Sequence, residues 1–304
     1  MSDPRQTLRV YAALGAAMLI WGFSFLAIKD AVATVPVLSL LAVRFIIAVL
    51  LLGLIGGFRG RLHLAWRDLR TLAGLAVLSP IGYFLLETFG VKHTQPSHVA
   101  VIIAIIPTVV FLIAFLRRQE RPSWRKGAGI AIAYAGVLLI IGSSLREPGS
   151  SLLGDLLILG AVLCAASRTV LLKDVLRRIS PLQLTFYQFA FSLIVFVPLA
   201  TTDDASWVGT LSTPVILEIL FLGVFCSAGA FLAMHYALSH LAATQVAVSA
   251  NAIPVITLVG EILFLGTTPS TLMLIGTLVT LGGVILSQLD RRGGRDVSLE
   301  VAKG

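Results

Sequence analysis

Residues 99–107 read VAVIIAIIP and residues 246–254 read VAVSANAIP, so one apolar run ending in Ile-Pro occurs twice, 147 residues apart. At this offset, residues 75–139 align without a gap with residues 222–286 and share 18 identical positions out of 65. Chance between two apolar segments would give on the order of 5 or 6 identities, and prolines and glycines shared in one register are not a composition effect. The two halves of the chain are therefore homologous repeats.

The composition predicts an integral membrane protein. Of 304 residues, 57% are hydrophobic and only 12% are charged, and the mean hydropathy is +0.96, whereas a typical soluble domain has about 25% charged residues. A membrane-spanning helix needs about 20 apolar residues to cross a hydrocarbon core about 30 Å thick. Apolar runs of this kind occupy ten ranges: 10–28, 35–57, 71–91, 97–116, 127–145, 152–173, 181–200, 214–237, 243–265 and 270–289. We therefore expect an all-α protein with ten transmembrane helices.

The positive charges predict the orientation in the membrane. Of the lysines and arginines in the loops, 18 lie on one side of the predicted spans and 3 on the other. Cytoplasmic loops carry the excess of such residues, so both termini are expected in the cytoplasm. The formal net charge of +8 follows from this topology and does not indicate a nucleic-acid partner.

The repeat and the number of spans together predict an inverted architecture. Each half holds five spans, and because five is odd, the second copy enters the membrane from the opposite face. We predict a first five-helix repeat in residues 1–146, a second in residues 147–290 and a cytoplasmic tail in residues 291–304. Inverted repeats are typical of secondary transporters, which bind substrate near the membrane midplane where the halves meet and expose it by alternating access.

Ionisable side chains within the spans are candidate functional groups, because a charge at membrane depth is costly. Glu261 shares a helical face with Asn251 and Pro254, and we expect that face to line a cavity. The alternative is that Glu261 pairs with a neighbouring helix and only holds the bundle together. Glu87 follows Tyr83 by one helical turn, and a carboxylate beside an aromatic ring suits a substrate ammonium group. Alternatively, Glu87 is solvated at the outer end of its span.

Three further intramembrane groups have two interpretations each. Arg44 lies near the centre of the second span, where it either binds substrate or clamps the carbonyl end of a helix. Arg168 lies in the cytoplasmic third of the sixth span, where we expect its stem to carry the charge to water, with carboxylate binding as the second interpretation. His235 joins Glu87 and Glu261 as a candidate for proton coupling; otherwise it is a hydrogen-bonded polar residue in the core.

Aromatic residues and prolines complete the candidate site. Trp21 lies in the middle of the first span and Tyr187 in an aromatic stretch of the seventh, so both are predicted to line the cavity. Pro107 and Pro254 occupy matching positions in spans four and nine, where a proline removes a helical hydrogen bond and kinks the helix. Because matched interruptions mark the central site of many transporters, we predict a gating role for this pair.

Small residues predict close helix packing in two other spans. They recur at Gly129, Ala133 and Gly136 of the first repeat, and at Gly276, Thr280 and Gly283 of the second. These seams could pack within the chain or between two copies of it, and the oligomeric state stays open.

Several catalytic and cofactor motifs are absent from the sequence. There is no Walker A motif for ATP, no HExxH or GxSxG motif and no cysteine-histidine cluster. Cys164 and Cys226 both lie in apolar runs and are expected to be buried free thiols. The sequence therefore predicts no enzymatic activity, no cofactor and no metal site.

Motifs along nearly the whole chain resemble one transporter family. They are Trp21-Gly22-Phe23-Ser24-Phe25, Lys29, Pro36, Ala42-Val43-Arg44-Phe45, Pro107, Glu120 and Gly136-Val137-Leu138-Leu139 in the first repeat, and Pro254 and Gly282-Gly283-Val284-Ile285-Leu286 in the second. This pattern resembles the drug/metabolite transporter superfamily, EamA type. The resemblance implies two inverted five-helix repeats, a central cavity lined mainly by the third, fourth, eighth and ninth helices, and metabolite export. Within the superfamily, the chain is most similar to bacterial amino acid exporters, including the aromatic amino acid and methyl viologen exporter.

One position departs from the family pattern. An acidic residue closes the fourth helix in the family, and Glu120 matches it, but the second-repeat counterpart here is Thr267. We therefore do not expect a symmetric role for this pair.

These observations predict a secondary transporter that exports small metabolites, with amino acids as the first choice. Its partners would be the small-molecule substrate and membrane lipid, and transport would be coupled to protons or uncoupled. An organic-cation or drug exporter and a nucleotide-sugar carrier are alternatives within the class. A membrane-embedded enzyme acting on lipid is the alternative from another class, and Glu87 with His93 is the acid/base pair that it would use.

Overall fold

A computed structural model of the chain shows a bundle of helices. It describes residues 4–57, 62–117, 124–144, 149–172, 175, 178–241, 246 and 249–288. Every regular element within these ranges is helical. Glu120, which the family resemblance singles out, lies outside the described residues.

The first half of the described chain forms seven α-helices and one π-helical segment. They are α1 (Pro4–Thr34), α2 (Val37–Gly57), α3 (Trp66–Ala76), the π-helical segment Val77–Gly82, α4 (Tyr83–His93), α5 (Pro96–Ile103), α6 (Ile106–Leu116) and α7 (Trp124–Ser144). Prolines occupy the first turn of α5 and of α6, where the missing N–H would have no helical partner in any case.

The second half follows the same order. It consists of α8 (Leu152–Leu172), α9 (Pro181–Ala200), the 3-10 turn Ala205–Thr210, α10 (Thr213–Leu220), the π-helical segment Phe221–Ala230, α11 (Phe231–Leu238), α12 (Ala252–Leu265) and α13 (Thr271–Gln288). A capping box starts α9: the Ser180 hydroxyl accepts the Gln183 backbone N–H, and the Gln183 side chain accepts the Ser180 backbone N–H.

Eight of the ten predicted spans are helical segments long and apolar enough to cross a membrane. They are Arg5–Thr34, Val37–Gly57, Trp66–His93, Pro96–Leu116, Trp124–Ser143, Leu152–Leu172, Pro181–Ala200 and Thr213–Leu238. The helices at the two remaining positions, Ala252–Leu265 and Thr271–Ser287, are apolar but shorter. Much of the predicted segment 243–251 lies outside the described residues. The count of ten spans and the cytoplasmic termini therefore remain predictions.

The third and eighth spans both depart from regular α-helix at equivalent positions. The repeat offset of 147 places Val77–Gly82 against residues 224–229, inside the π-helical stretch Phe221–Ala230. In the first repeat the helix is broken, because Ser79 has an extended backbone (φ −154°, ψ 124°) and the following Pro80 has no N–H for the helical ladder. The two repeats therefore interrupt the same span in different ways.

The fourth and ninth spans are interrupted just before their matching prolines. A turn at Ala104 and Ile105 separates α5 from α6, and a turn at Ala250 and Asn251 precedes α12. Pro107 and Pro254 therefore lie in the first turn of a new helix instead of bending a continuous one. The predicted interruption is present in both halves, but it lies two or three residues before Pro107 and three or four residues before Pro254.

Glycines bring α7 and α13 together along the predicted seam. A Cβ atom added to Gly129 would lie 2.5 Å from the backbone N of Ser287, and one added to Gly276 would lie 2.7 Å from Cγ1 of Ile140. The seam residues of the two repeats therefore pack against each other within one chain. Only glycine allows the two backbones to approach this closely.

Four phenylalanines form a ring at the centre of the bundle. The centroid distances around it are 5.1 Å for Phe45 and Phe84, 5.8 Å for Phe84 and Phe231, 5.3 Å for Phe231 and Phe189, and 5.0 Å for Phe189 and Phe45. Phe84 and Phe231 are repeat equivalents at the offset of 147, and Phe45 and Phe189 are equivalents at an offset of 144. We call these residues the phenylalanine quartet. Each half of the protein contributes two of its rings.

Candidate functional site

Arg44 is buried against the quartet on α2. Its side chain is 2% exposed, and its guanidinium carbon lies 4.9 Å from the ring centroid of Phe84 and 5.5 Å from that of Phe45. Nε donates to Oγ of Ser227 in the second repeat at 3.1 Å. Nη1 is buried and has no hydrogen-bond partner among the described residues. Because a buried guanidinium needs its donors satisfied, Arg44 presents a free donor at the junction of the two halves.

Glu87 and Tyr83 lie next to Arg44. Glu87 is 3% exposed and follows Phe84 by three residues on α4, so both side chains lie on one helical face. Its Oε2 accepts the Thr88 hydroxyl at 3.1 Å. The carboxylate interacts electrostatically with Arg44 and with the Tyr83 hydroxyl, but no direct hydrogen bond joins it to the guanidinium. Burial of Glu87 excludes the alternative of a solvated helix end.

Trp21 joins this region from α1. Its ring packs edge-to-face on Phe231 with the centroids 5.1 Å apart. The structure therefore brings Trp21, Arg44, Tyr83 and Glu87 together around the quartet. Their roles in binding remain predictions.

A second polar group lies on the opposite side of the quartet. Ser39 at the start of α2 bonds to Asp203 just after α9, so the two helices run antiparallel. Arg44 precedes Phe45, and Gln188 precedes Phe189; on antiparallel helices these two polar residues must lie on opposite sides of the quartet. Gln188 is 3% exposed and its Oε1 accepts Nη2 of Arg168 at 2.6 Å.

Arg168 is enclosed by protein. Its side chain is 8% exposed, and Nε is buried without a hydrogen-bond partner in the part of the chain that the structure describes. The expectation that its stem carries the charge to water is therefore wrong. The guanidinium bonds to Gln188 on the neighbouring helix because α8 directs this side chain into the bundle.

His235 belongs to this second group. Its Nδ1 lies 2.9 Å from Oγ1 of Thr185, and that hydroxyl donates to the carbonyl of Pro181 at 2.6 Å. A hydroxyl has a single hydrogen, so Nδ1 of His235 carries a proton and is the donor to Thr185. The ring of His235 also packs near Phe231, with the centroids 6.1 Å apart.

Glu261 and Asn251 occupy different environments on α12 and the turn before it. The Glu261 carboxylate accepts the backbone N–H of Ser97 at 3.1 Å, in the first turn of α5, and interacts electrostatically with Lys29. This is the predicted alternative of a contact with a neighbouring helix. Asn251 lies at the interruption before α12, and its side-chain N and O are both buried without a hydrogen-bond partner in the described chain. Asn251 therefore remains the candidate binding residue on this face.

Tyr187 lies apart from the Arg44 region. Its hydroxyl donates to the carbonyl of Leu62 at 2.7 Å, and its ring packs against Phe191 and a small apolar cluster that includes Leu72 and Leu172. This side chain ties α9 to the segment before α3. No contact brings it to Arg44 or Glu87.

One end of the bundle is closed by contacts between the repeats. The Ser39 hydroxyl and backbone N–H both donate to Oδ2 of Asp203, at 2.8 and 2.9 Å, and Ser97 bonds to Glu261. Within the first repeat, Lys29 joins α1 to the end of α4 through hydrogen bonds from Nζ to the carbonyls of Val91, Lys92 and Thr94, at 3.1, 3.2 and 2.8 Å, and it interacts electrostatically with Glu261 of the second repeat. We call the contacts of Lys29 the lysine clamp.

A cavity lies at the opposite end of the bundle, on the side of Arg168 and Gln188. It has a volume of about 580 Å³ and is lined by Ile55 of α2, Pro181 of α9, and Leu232 and Tyr236 of α11, among others. A cavity of about 270 Å³ lies beside Asp203 at the clamped end. By the predicted orientation, the larger cavity is on the cytoplasmic side.

The described residues contain no group of three His, Cys, Asp or Glu side chains that could hold a metal ion. Cys164 and Cys226 are free thiols, as predicted, but only Cys226 is buried; Cys164 is partly exposed. The residues that sequence reasoning missed are Ser227, Gln188 and the phenylalanines of the quartet. The offset of 144 between Arg44-Phe45 and Gln188-Phe189, and the offset of 147 between Phe84 and Phe231, are the signals that would have found all of them except Ser227.

A multi-pass helical bundle of two equivalent halves, with charged groups buried where they meet, has the architecture of a membrane transporter. The chain belongs to the EamA-like transporter family, whose model matches it twice, at residues 9–142 and 152–289. It is therefore a small-molecule transporter of the two-repeat EamA type.

Relatives named as transporters cover most of the chain. An uncharacterized transporter of Archaeoglobus fulgidus is 27% identical over 282 residues, which span 92% of this chain and 97% of that protein. The probable terminal-alkyne amino-acid exporter of Streptantibioticus cattleyicolor is 26% identical over 278 residues, which span 90% and 91%. One crystal structure superposes on this chain with a TM-score of 0.67 at 18% sequence identity. The superposition covers 94% of this chain and 97% of the chain in that structure, which shows a shared fold.

Proposed function

We propose that the protein exports amino acids across the bacterial cytoplasmic membrane. One observation carries the proposal: Arg44 and Glu87 are buried beside each other at the junction of the repeats, attract each other, and share no direct hydrogen bond, while Nη1 of Arg44 has no partner in the described chain. A zwitterion between them would bring a carboxylate to Arg44 and an ammonium group to Glu87. The charged groups of the substrate would take the place of the water that Arg44 and Glu87 lose when they are buried.

The surrounding side chains suit the rest of such a substrate. The rings of Trp21, Tyr83 and the quartet surround the charged pair, and aromatic surface accommodates an apolar side chain or the face of a cation. The amino-acid exporter among the relatives supports the same substrate class.

The transport cycle follows from the proposed topology. We place ten helices in two inverted repeats, residues 1–146 and 147–290, with both termini and the tail 291–304 in the cytoplasm. The interruptions before Pro107 and Pro254 would let the half-helices move as the clamped end opens and the cavity at the other end closes. The chain acts as a carrier and not as an enzyme.

An organic cation is the competing substrate, because Glu87 and the aromatic rings also suit one. Arg44 argues against it: its guanidinium already occupies the faces of Phe45 and Phe84 and would repel a second cation. A substrate with a carboxylate removes this repulsion.

Counterflow in proteoliposomes tests the proposal. We would measure uptake of labelled L-phenylalanine and other amino acids, of phenylethylamine, which lacks the carboxylate, and of methyl viologen. Arg44→Gln and Glu87→Gln should each reduce amino acid exchange at least about 10-fold, since each removes a buried charge-assisted contact. Arg67→Gln, at an exposed position, is the matched control and should exchange like the wild type. Uptake of phenylethylamine or methyl viologen without amino acid exchange would overturn the proposal.

A further inference from the structure

The group on the other side of the quartet carries a positive charge without a protein counter-charge. Arg168 forms no ion pair with a carboxylate in the described residues, and its one hydrogen bond is to the amide of Gln188. Arg44, by contrast, has Glu87 beside it. A buried charge that lacks an opposite charge is unfavourable, so this position would gain from a bound anion.

The unsatisfied donors of the group are of the kind that an anion requires. Oε1 of Gln188 accepts the hydrogen bond from Arg168. The remaining polar atom of the amide is Nε2, which is a donor. Both Nε of Arg168 and Nε2 of Gln188 are buried without a partner in the described part of the chain. A guanidinium N–H and an amide N–H together match the two oxygens of a carboxylate.

The repeat relation supports the same conclusion. Gln188-Phe189 is the equivalent of Arg44-Phe45, so Gln188 holds the position in the second repeat that Arg44 holds in the first. The second repeat places its guanidinium on α8 instead of α9 and joins it to Gln188. Each side of the quartet therefore has one buried arginine.

We propose that Arg168 and Gln188 form a second binding station, for the carboxylate of a small solute, between the large cavity and the quartet. His235 interacts electrostatically with Arg168 and bonds to Thr185, so it is a polar neighbour of this station. The assignment of its natural ligand as an amino acid entering from the cytoplasm rests on the proposed function; the carboxylate site itself does not.

The probe is labelled 3-phenylpropanoate, bound at equilibrium to the full chain in nanodiscs of zwitterionic lipid. This acid has a carboxylate but no ammonium group, so Glu87 repels it from the Arg44 region. Arg168→Gln should weaken its binding at least about 10-fold. Phosphatidylglycerol in a second set of nanodiscs tests whether a lipid headgroup takes the site instead.

A second variant keeps the test valid if Arg168→Gln does not fold. Gln188→Glu places a carboxylate 2.6 Å from Arg168, so the protein supplies its own anion. We expect a folded protein that binds 3-phenylpropanoate at least about 10-fold more weakly. Gln6→Glu is the matched control, because Gln6 is exposed in the first turn of α1, where a glutamate is favourable, and this variant should bind like the wild type.

Three results would overturn the station: no binding by wild type, wild-type binding by folded Gln188→Glu, or complete displacement of the probe by phosphatidylglycerol. Failure of the proposed function has another signature. In that case 3-phenylpropanoate still binds and still depends on Arg168, but counterflow shows no amino acid exchange.

Discussion

Lys29→Met should loosen the clamped end of the bundle without unfolding the protein. Nζ of Lys29 donates to three carbonyls at the end of α4 and just after it, and it lies near the carboxylate of Glu261 from the other repeat. A cation at a helix C-terminus is favourable because it satisfies carbonyls that have no helical donor. Methionine keeps much of the stem and removes every donor.

The magnitude follows from the three hydrogen bonds. A charge-assisted hydrogen bond contributes about 1.5 to 3 kcal/mol when buried. The ammonium group is partly exposed, and one of its three bonds is at the surface, so solvent reduces each contribution to roughly 0.7 kcal/mol. Together they stabilise the contact between α1 and the end of α4 by about 2 kcal/mol, which is about a 30-fold change in the local opening equilibrium of that contact.

Amide hydrogen exchange by mass spectrometry measures this change. The Thr94 N–H is bonded to the Gly90 carbonyl, and the Ser97 N–H to Glu261, so a peptide spanning 91–98 should exchange about 30-fold faster in Lys29→Met. Lys92→Met removes the same charge from an exposed side chain of α4 and should leave the rate unchanged. Equal rates in Lys29→Met and wild type, or a uniform increase that includes α13, would refute the reasoning.

Two further changes test the packing and the other inter-repeat contact. Gly136→Leu should lower stability by about 3 kcal/mol through overpacking of the α7 and α13 seam, seen as a lower melting temperature in detergent, while Gly142→Leu, which has open space around it, should melt like wild type. If both melt alike, the seam does not limit stability. Asp203→Asn should weaken the acceptor for Ser39 by about 1 kcal/mol and speed amide exchange in the first turn of α2 about 5-fold. Asp204→Asn, which breaks a bond only to Ser206, is its control; the contact has no such role if the two variants exchange alike.

Repetition in the sequence predicted the features that depend on local chain chemistry. The shared Pro107 and Pro254 indicated matched interruptions, and the structure has them. The exact break could not be predicted, because a proline can bend one helix or begin another. The irregular segments in the third and eighth spans share only the Gly82 and Gly229 pair as a repeated sequence signal, because Pro80 of the first repeat has Ser227 as its counterpart in the second.

The sequence could not predict which residues far apart in the chain are in contact. Arg44 and Ser227 are 183 positions apart, and nothing local indicates that they meet. Periodicity put Glu261 on a defined face of its helix but could not identify the neighbour, which is the first turn of α5. Gln188 was not predicted as a site residue, because an amide is not ionisable. It gains its role from Arg168, on another helix.

The quartet bears on how the protein arose. A single-repeat ancestor would have formed the same ring between two copies of itself, with each phenylalanine facing its own duplicate, as Phe45 faces Phe189 and Phe84 faces Phe231 today. In such an ancestor, any change beside the ring appeared twice. With both copies in one chain the equivalent positions can differ, and they do: Arg44 corresponds to Gln188, and Glu87 corresponds to Met234. The two sides of the phenylalanine quartet therefore differ in chemistry, although both repeats contribute rings to the quartet itself.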